Sequence, residues 1–252
     1  MYDPPDYLWA ITFAGVIAVL AATCVVLYGG AIRASLGRRR AALLAGGAAI
    51  VFGGWFAASA EIAGHGWYHT RLGHGVPWMP VAAVGFLGLL LLLRQIPAVT
   101  RALTAPGMTG RLEFPHTFRV AAVTFLITMA LGHLPALFAL PAGLCDIATG
   151  IAAPLVVRRL ARGTGRRAAL WLNAFGITDL AVAMILGALV GFQVIHTTPS
   201  GAPISGMPLA LIPTVDVPLL LALHIASVSA LIRAGRTPLP PTAPLIPAGR
   251  LS

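Results

Sequence analysis

Seven apolar runs separated by arginine-bearing stretches are the feature that most narrows what this chain can become. They span approximately residues 8–30, 41–60, 76–93, 120–140, 142–157, 168–192 and 209–232. A bilayer core about 30 Å thick is crossed by roughly 20 apolar residues rising 1.5 Å each. The runs therefore predict an all-α, polytopic membrane bundle of seven transmembrane helices over residues 1–236. A proline-rich tail over 237–252, with Pro238, Pro240, Pro241, Pro244 and Pro247, is expected to be solvated.

Composition agrees: 58% of the 252 residues are apolar and 10% are charged, where a soluble domain carries about 25% charge. All seventeen basic residues are arginine, a bias that fits a GC-rich bacterial genome. Without a lysine there is no Schiff base, so retinal is excluded. A formal charge of +10 would suggest nucleic acid in a soluble protein. Here the arginines fall between apolar runs, so the charge reads as orientation and no nucleic-acid partner is expected.

Seven spans put Arg33, Arg38, Arg39, Arg40, Arg94, Arg101, Arg111, Arg119, Arg158, Arg159, Arg162, Arg166, Arg167, Arg233, Arg236 and Arg250 on one side, and Arg71 alone on the other. That parity predicts the N-terminus outside and the C-terminus in the cytoplasm, in a multi-pass protein of the bacterial inner membrane. The opening Met-Tyr-Asp-Pro-Pro-Asp-Tyr carries two acids and no positive region, so the first helix is expected to be retained rather than cleaved as a signal. Cys24 and Cys145 fall at different depths and are expected to be free thiols.

Ionisable residues at bilayer depth cost about 2.5–3.5 kcal/mol each on insertion scales and mark sites by default. The candidates are His133, Asp146, Asp179, Asp216 and His224. Counting residues along each run puts His133 in the outer third, Asp146 near the outer surface, Asp179 near the midplane and Asp216 in the outer half. His224 lies about 12 Å deeper than Asp216 and pairs in depth with Arg119, forming a secondary inner-side set. Pro213 and Pro218 bracket Asp216, so carbonyls near that acid are expected to be free for a cation or hydroxyl. The short Leu140-Pro-Ala-Gly143 stretch predicts a tight turn between adjacent antiparallel helices. Glycines at Gly46, Gly47, Gly53, Gly54, Gly85 and Gly88 allow close helix contact and a homo-oligomer through small-residue faces. Gly143-Leu-Cys-Asp146 echoes Gly176-Ile-Thr-Asp179, which reads as coincidence.

Three of the seven histidines fall in Glu61-Ile-Ala-Gly-His65-Gly-Trp-Tyr-His69-Thr-Arg-Leu-Gly-His74. Glu61, His65 and His69 would share a face of a continued helix, and with His74 they form a donor set compatible with zinc or copper. The glycines weaken such a helix, and Trp67, Tyr68 and Trp78 suit an interfacial aromatic belt. Haem is not expected, because His133 and His224 lie at different depths and cannot share one iron; no cofactor is predicted. Hydrolases related to adiponectin receptors and alkaline ceramidases carry a His-xxx-His near the last helix. Here that spacing occurs only at His65 and His69, a departure that argues against membership.

The stretch over 118–154, with Leu134-Pro-Ala-Leu-Phe-Ala-Leu-Pro-Ala-Gly143-Leu-Cys-Asp146, resembles a group of bacterial multispanning proteins without an assigned function. Asn173-Ala-Phe-Gly-Ile-Thr-Asp179, Ile212-Pro-Thr and Leu223-His224 are similar to the same group. The resemblance covers roughly the last four helices and implies a unit built around Asp146 and Asp179, with no activity attached. The residues themselves point to a transporter or sensor that handles a small polar ligand, proton or cation through Asp146, Asp179, Asp216 and His133. The alternatives are a membrane metalloenzyme built on the outer histidine-rich loop, or a scaffold whose intramembrane acids bind only neighbouring helices. No recognised catalytic motif is present.

Overall fold

The computed structural model describes residues 2–69 and 75–234. The described residues form helices: α1 (Asp6–Arg33), α2 (Arg38–Gly64), α3 (Trp78–Leu93), α4 (Pro97–Thr104), α5 (Met108–Glu113), α6 (Val123–Ala130), α7 (Ala136–Ala161), α8 (Arg166–Gly191) and α9 (Val217–Ala234). A 3-10 stretch, Phe114–Ala122, runs from α5 into α6, and a π-helical turn, Ile212–Asp216, leads into α9. Among these residues five helices are long and apolar enough to cross a membrane. A sixth crossing is counted if α3 and α4, which meet at 87°, are taken as one broken span. The segment of the last span is the most enclosed, with 67% of its window buried against 11% for α2. The last span is thus the axis of the bundle and α2 lies at its periphery.

The fourth and fifth runs divide differently from the prediction. The turn falls at 131–135 rather than at Leu140-Pro-Ala-Gly143, which lies inside α7. Gly132 adopts φ +79°, its N–H donates to the Met129 carbonyl, and the His133 N–H donates to the Thr128 carbonyl. This is a Schellman stop that glycine's freedom at positive φ permits, and Pro135 then caps α7 in extended geometry. Pro141 comes so soon after the helix start that it forfeits one backbone bond, to the Leu137 carbonyl. The expected adjacency of the two helices holds. A Cβ on Gly143 would meet Leu126, and one on Gly150 would meet Val120, so α7 runs antiparallel to the segment before it.

Close helix approach occurs at other glycines than those anticipated. Gly46, Gly47, Gly53, Gly54, Gly85 and Gly88 have nothing within 4 Å of where a Cβ would stand. Gly15 instead meets Ala121, and Gly30 meets the Ala102 carbonyl. The first presses the irregular segment between α4 and α6 against α1, and the second presses α4 against the same helix. That segment is therefore part of the bundle, and it carries Arg119 inward with it. Both cysteines are free. Arg71, His74 and the proline-rich tail lie outside the described residues.

Candidate functional site

Arg119 is the hub of the buried polar groups. Counted among the arginines between runs and paired in depth with His224 in the sequence, it is 3% exposed, because the 3-10 stretch that bears it packs between α1 and α7. Its Nε donates to Asp146 Oδ1 at 2.5 Å and its Nη2 to Asp179 Oδ2 at 2.6 Å. Its Nη1 contacts His224 Nε2 at 3.2 Å. A guanidinium only donates, so His224 accepts at Nε2 and carries its proton on Nδ1, which donates to Asn173 Oδ1 at 2.8 Å. Asn173 in turn donates to Glu113 Oε1 at 2.5 Å, as does Ser227.

The outer acids and the inner pair of the sequence reading are therefore one network. The depth count separated them because it started α7 six residues late and so placed Asp146 near the outer surface, while Arg119 was set with His224 on the inner side. With α7 beginning at Ala136, Asp146 lies about 15 Å along its helix, in the middle of the span and level with Asp179. The echo Gly143…Asp146 and Gly176…Asp179 gains a meaning here. Both acids hold Arg119, and each glycine admits a neighbour: Leu126 against Gly143, and His224 with Arg119 against Gly176.

Asp216 joins the same locus. It lines a cavity of about 20 Å³ together with Thr12, Arg119, Asp146, Leu180 and Leu220, enough for a water molecule. Its Oδ1 is buried without a hydrogen-bond partner. The carbonyls expected to be free around it are occupied. Pro218 has no N–H to offer the Thr214 carbonyl, and Trp55 Nε1 from α2 donates to it at 2.8 Å. The Leu209 carbonyl before Pro213 accepts from Ile212.

His133 does not belong to this group. It is exposed in the turn between α6 and α7, with its ring 4.3 Å from that of Tyr2. The Glu61, His65 and His69 donor set is not assembled either. His65 and Glu61 face each other at 3.5 Å, both largely exposed, while His69 Nδ1 turns away to Ser205 Oγ at 2.7 Å. The α2 helix ends at Gly64, with Gly66 at φ +74°, so the three side chains never share a helical face.

Sequence reasoning passed over Glu113, His116 and Asn173. All three are 0% exposed, and the His116 ring stacks on that of His224 at 3.8 Å and 18°. The signal available was Glu113-Phe-Pro-His116-Thr-Phe-Arg119, three polar residues at three-residue spacing. That spacing puts them on one side of a 3-10 segment, whose side chains eclipse every third residue.

The family described as Domain of unknown function (DUF8737) matches residues 76–232, and the chain belongs to it. The match includes every member of the network from Glu113 to Ser227. No curated protein and no solved structure matches the chain.

Proposed function

We propose that this family member is a proton-handling membrane protein, a transporter or sensor, whose working groups are Asp146, Asp179 and Asp216 around Arg119. The observation that carries the reading is a count of charge at one place. Two buried carboxyls bond a single guanidinium, and a third, that of Asp216, lines a small cavity with it. Fully ionised they would leave two uncompensated negative charges, which a low-dielectric interior penalises heavily. A proton on one or two of them restores balance, and an Asp216 oxygen without a partner beside a water-sized cavity supplies a place for transfer. So small a cavity favours a proton over a larger ligand.

The frame of the proposal is seven membrane segments in the bacterial inner membrane, N-terminus outside. The stretch 114–130 serves as the fourth segment and α3 with α4 as the third. The Tyr2–His133 and His69–Ser205 contacts support one common end for the N-terminus and these loops. Arg94 to Ser229 and Arg166 to the Leu231 carbonyl support the arginine-rich end as the other.

A structural reading has one observation in its favour, that Asp146 and Asp179 are each satisfied by Arg119. Infrared pH titration of the purified protein in lipid separates the two. Proton handling requires a protonated carboxyl band at neutral pH that is altered in Asp216→Asn or Asp179→Asn, together with proton flux in vesicles that these variants lower at least tenfold. A spectrum with no protonated carboxyl at neutral pH, and vesicles without flux, would leave the acids a purely structural role.

A further inference from the structure

Glu113 and His116 lie three residues apart where α5 passes into the 3-10 stretch, and His224 reaches them from α9. One ligand atom from each lies within 4.8 Å of the others, the trio of metal-binding side-chain types that comes together among the described residues. Neither ring nitrogen of His116 has a hydrogen-bond partner, and Glu113 Oε2 has none. Filling this space needs no histidine, since a phenyl ring would stack on His224 without stranding two nitrogens in a dry interior. Glu113 Oε1 is held by Asn173 and Ser227, both neutral donors. Among the described residues its carboxyl has no ion-pair partner.

We propose that Glu113, His116 and His224 bind one divalent transition-metal ion. Two imidazoles and one carboxylate are the donor set of zinc and iron(II) sites, whereas calcium and magnesium favour oxygen throughout. The supporting bonds already point the ligands. Asn173 Oδ1 fixes the proton of His224 on Nδ1, so the Nε2 lone pair, which here accepts from Arg119 Nη1, is the one a metal would take, and the bonded Oε1 of Glu113 leaves Oε2 free. Because the two imidazoles stack, their lone pairs run side by side. Binding draws His116 out of the stack and replaces the 3.2 Å Arg119–His224 contact, while Arg119 keeps both aspartates. The proposal stands apart from the proton reading, which uses neither Glu113 nor His116.

The test is elemental analysis of the detergent-purified protein, followed by chelation and titration with Co²⁺ read by its visible absorption. About one ion per chain is expected, lost in His116→Ala, weakened at least tenfold in Glu113→Gln, and retained in His65→Ala. Circular dichroism and gel filtration check the fold, and Glu113→Gln, which keeps the side-chain shape, carries the test if His116→Ala does not fold. The proposal fails if folded wild-type protein holds no metal and gives no cobalt spectrum, if Glu113→Gln binds undiminished, or if metal leaves with His65→Ala and stays in His116→Ala.

Discussion

Gly176 has no room for a side chain because the imidazole of His224 stands where its Cβ would be, with Arg119 Nη1 3.0 Å from the same point. The glycine thus sets how closely α8 approaches the last span at the level of the polar network. Gly176→Ala must push His224 or α8 aside, and overpacking of this kind costs about 1–3 kcal/mol. Gly46→Ala and Gly53→Ala, in open space on α2, are expected to leave stability unchanged or raise it by up to about 1 kcal/mol. Thermal unfolding of the three variants in one detergent compares them directly.

Removing the hub should cost more than removing any one spoke. Arg119→Met leaves two buried carboxylates facing each other without their cation, and breaking a buried ion pair in this way costs about 3–5 kcal/mol. Arg119→Lys is expected to rescue little, since an ammonium cannot span two carboxylates and an imidazole in the fork geometry of a guanidinium. A triple variant, Arg119→Met with Asp146→Asn and Asp179→Asn, removes the charge with its partners and should recover part of the loss. Denaturant titration of these three variants orders them; an Arg119→Met protein as stable as wild type would refute the hub.

The turn between α6 and α7 gives a further comparison. Gly132 sits at φ +79°, a conformation that costs a side chain roughly 1–2 kcal/mol, so Gly132→Ala should destabilise by about that amount. Pro141→Ala restores one hydrogen-bond donor near the start of α7 and is expected to be neutral or slightly stabilising. If the tight turn lay at Pro141 instead, the order of the two effects would reverse in the same unfolding measurement.

These contrasts show where hydropathy was a sound guide. Length and apolarity located α1, α2, α8 and the last span, because a membrane helix must satisfy its own backbone and so declares itself by a long run. Hydropathy does not see a turn inside apolar sequence. Gly132 and Pro135 stop a helix through backbone geometry, and a reading by apolar run placed the break at the more conspicuous Pro141. Arg119 was read only as an inner-side partner of His224 and one of four arginines between two apolar runs, and only the packing of Gly15 against Ala121 and of Gly150 against Val120 shows that its segment enters the bundle and reaches the aspartates. Asp146, Asp179 and Asp216 were legible because acids are rare in such sequence. Their common partner was not legible as a partner, nor was the Glu113–His116 pair beside it.

Orientation can be read without disturbing the network. In a Cys24→Ser, Cys145→Ser background, Trp67→Cys places a thiol in the turn after α2, and Thr164→Cys places one between α7 and α8, both at accessible positions. Seven crossings with the N-terminus outside put Trp67 and Thr164 on opposite faces. A membrane-impermeant maleimide added to intact cells should then label Trp67→Cys and spare Thr164→Cys, and permeabilised cells should label both. Equal labelling of the two in intact cells would mean that α3 with α4, or the stretch 114–130, enters the membrane and returns without crossing. The arginine-rich end, including Arg158, Arg159 and Arg162, would then share a face with the histidine-bearing loop, against the charge bias that orients membrane helices.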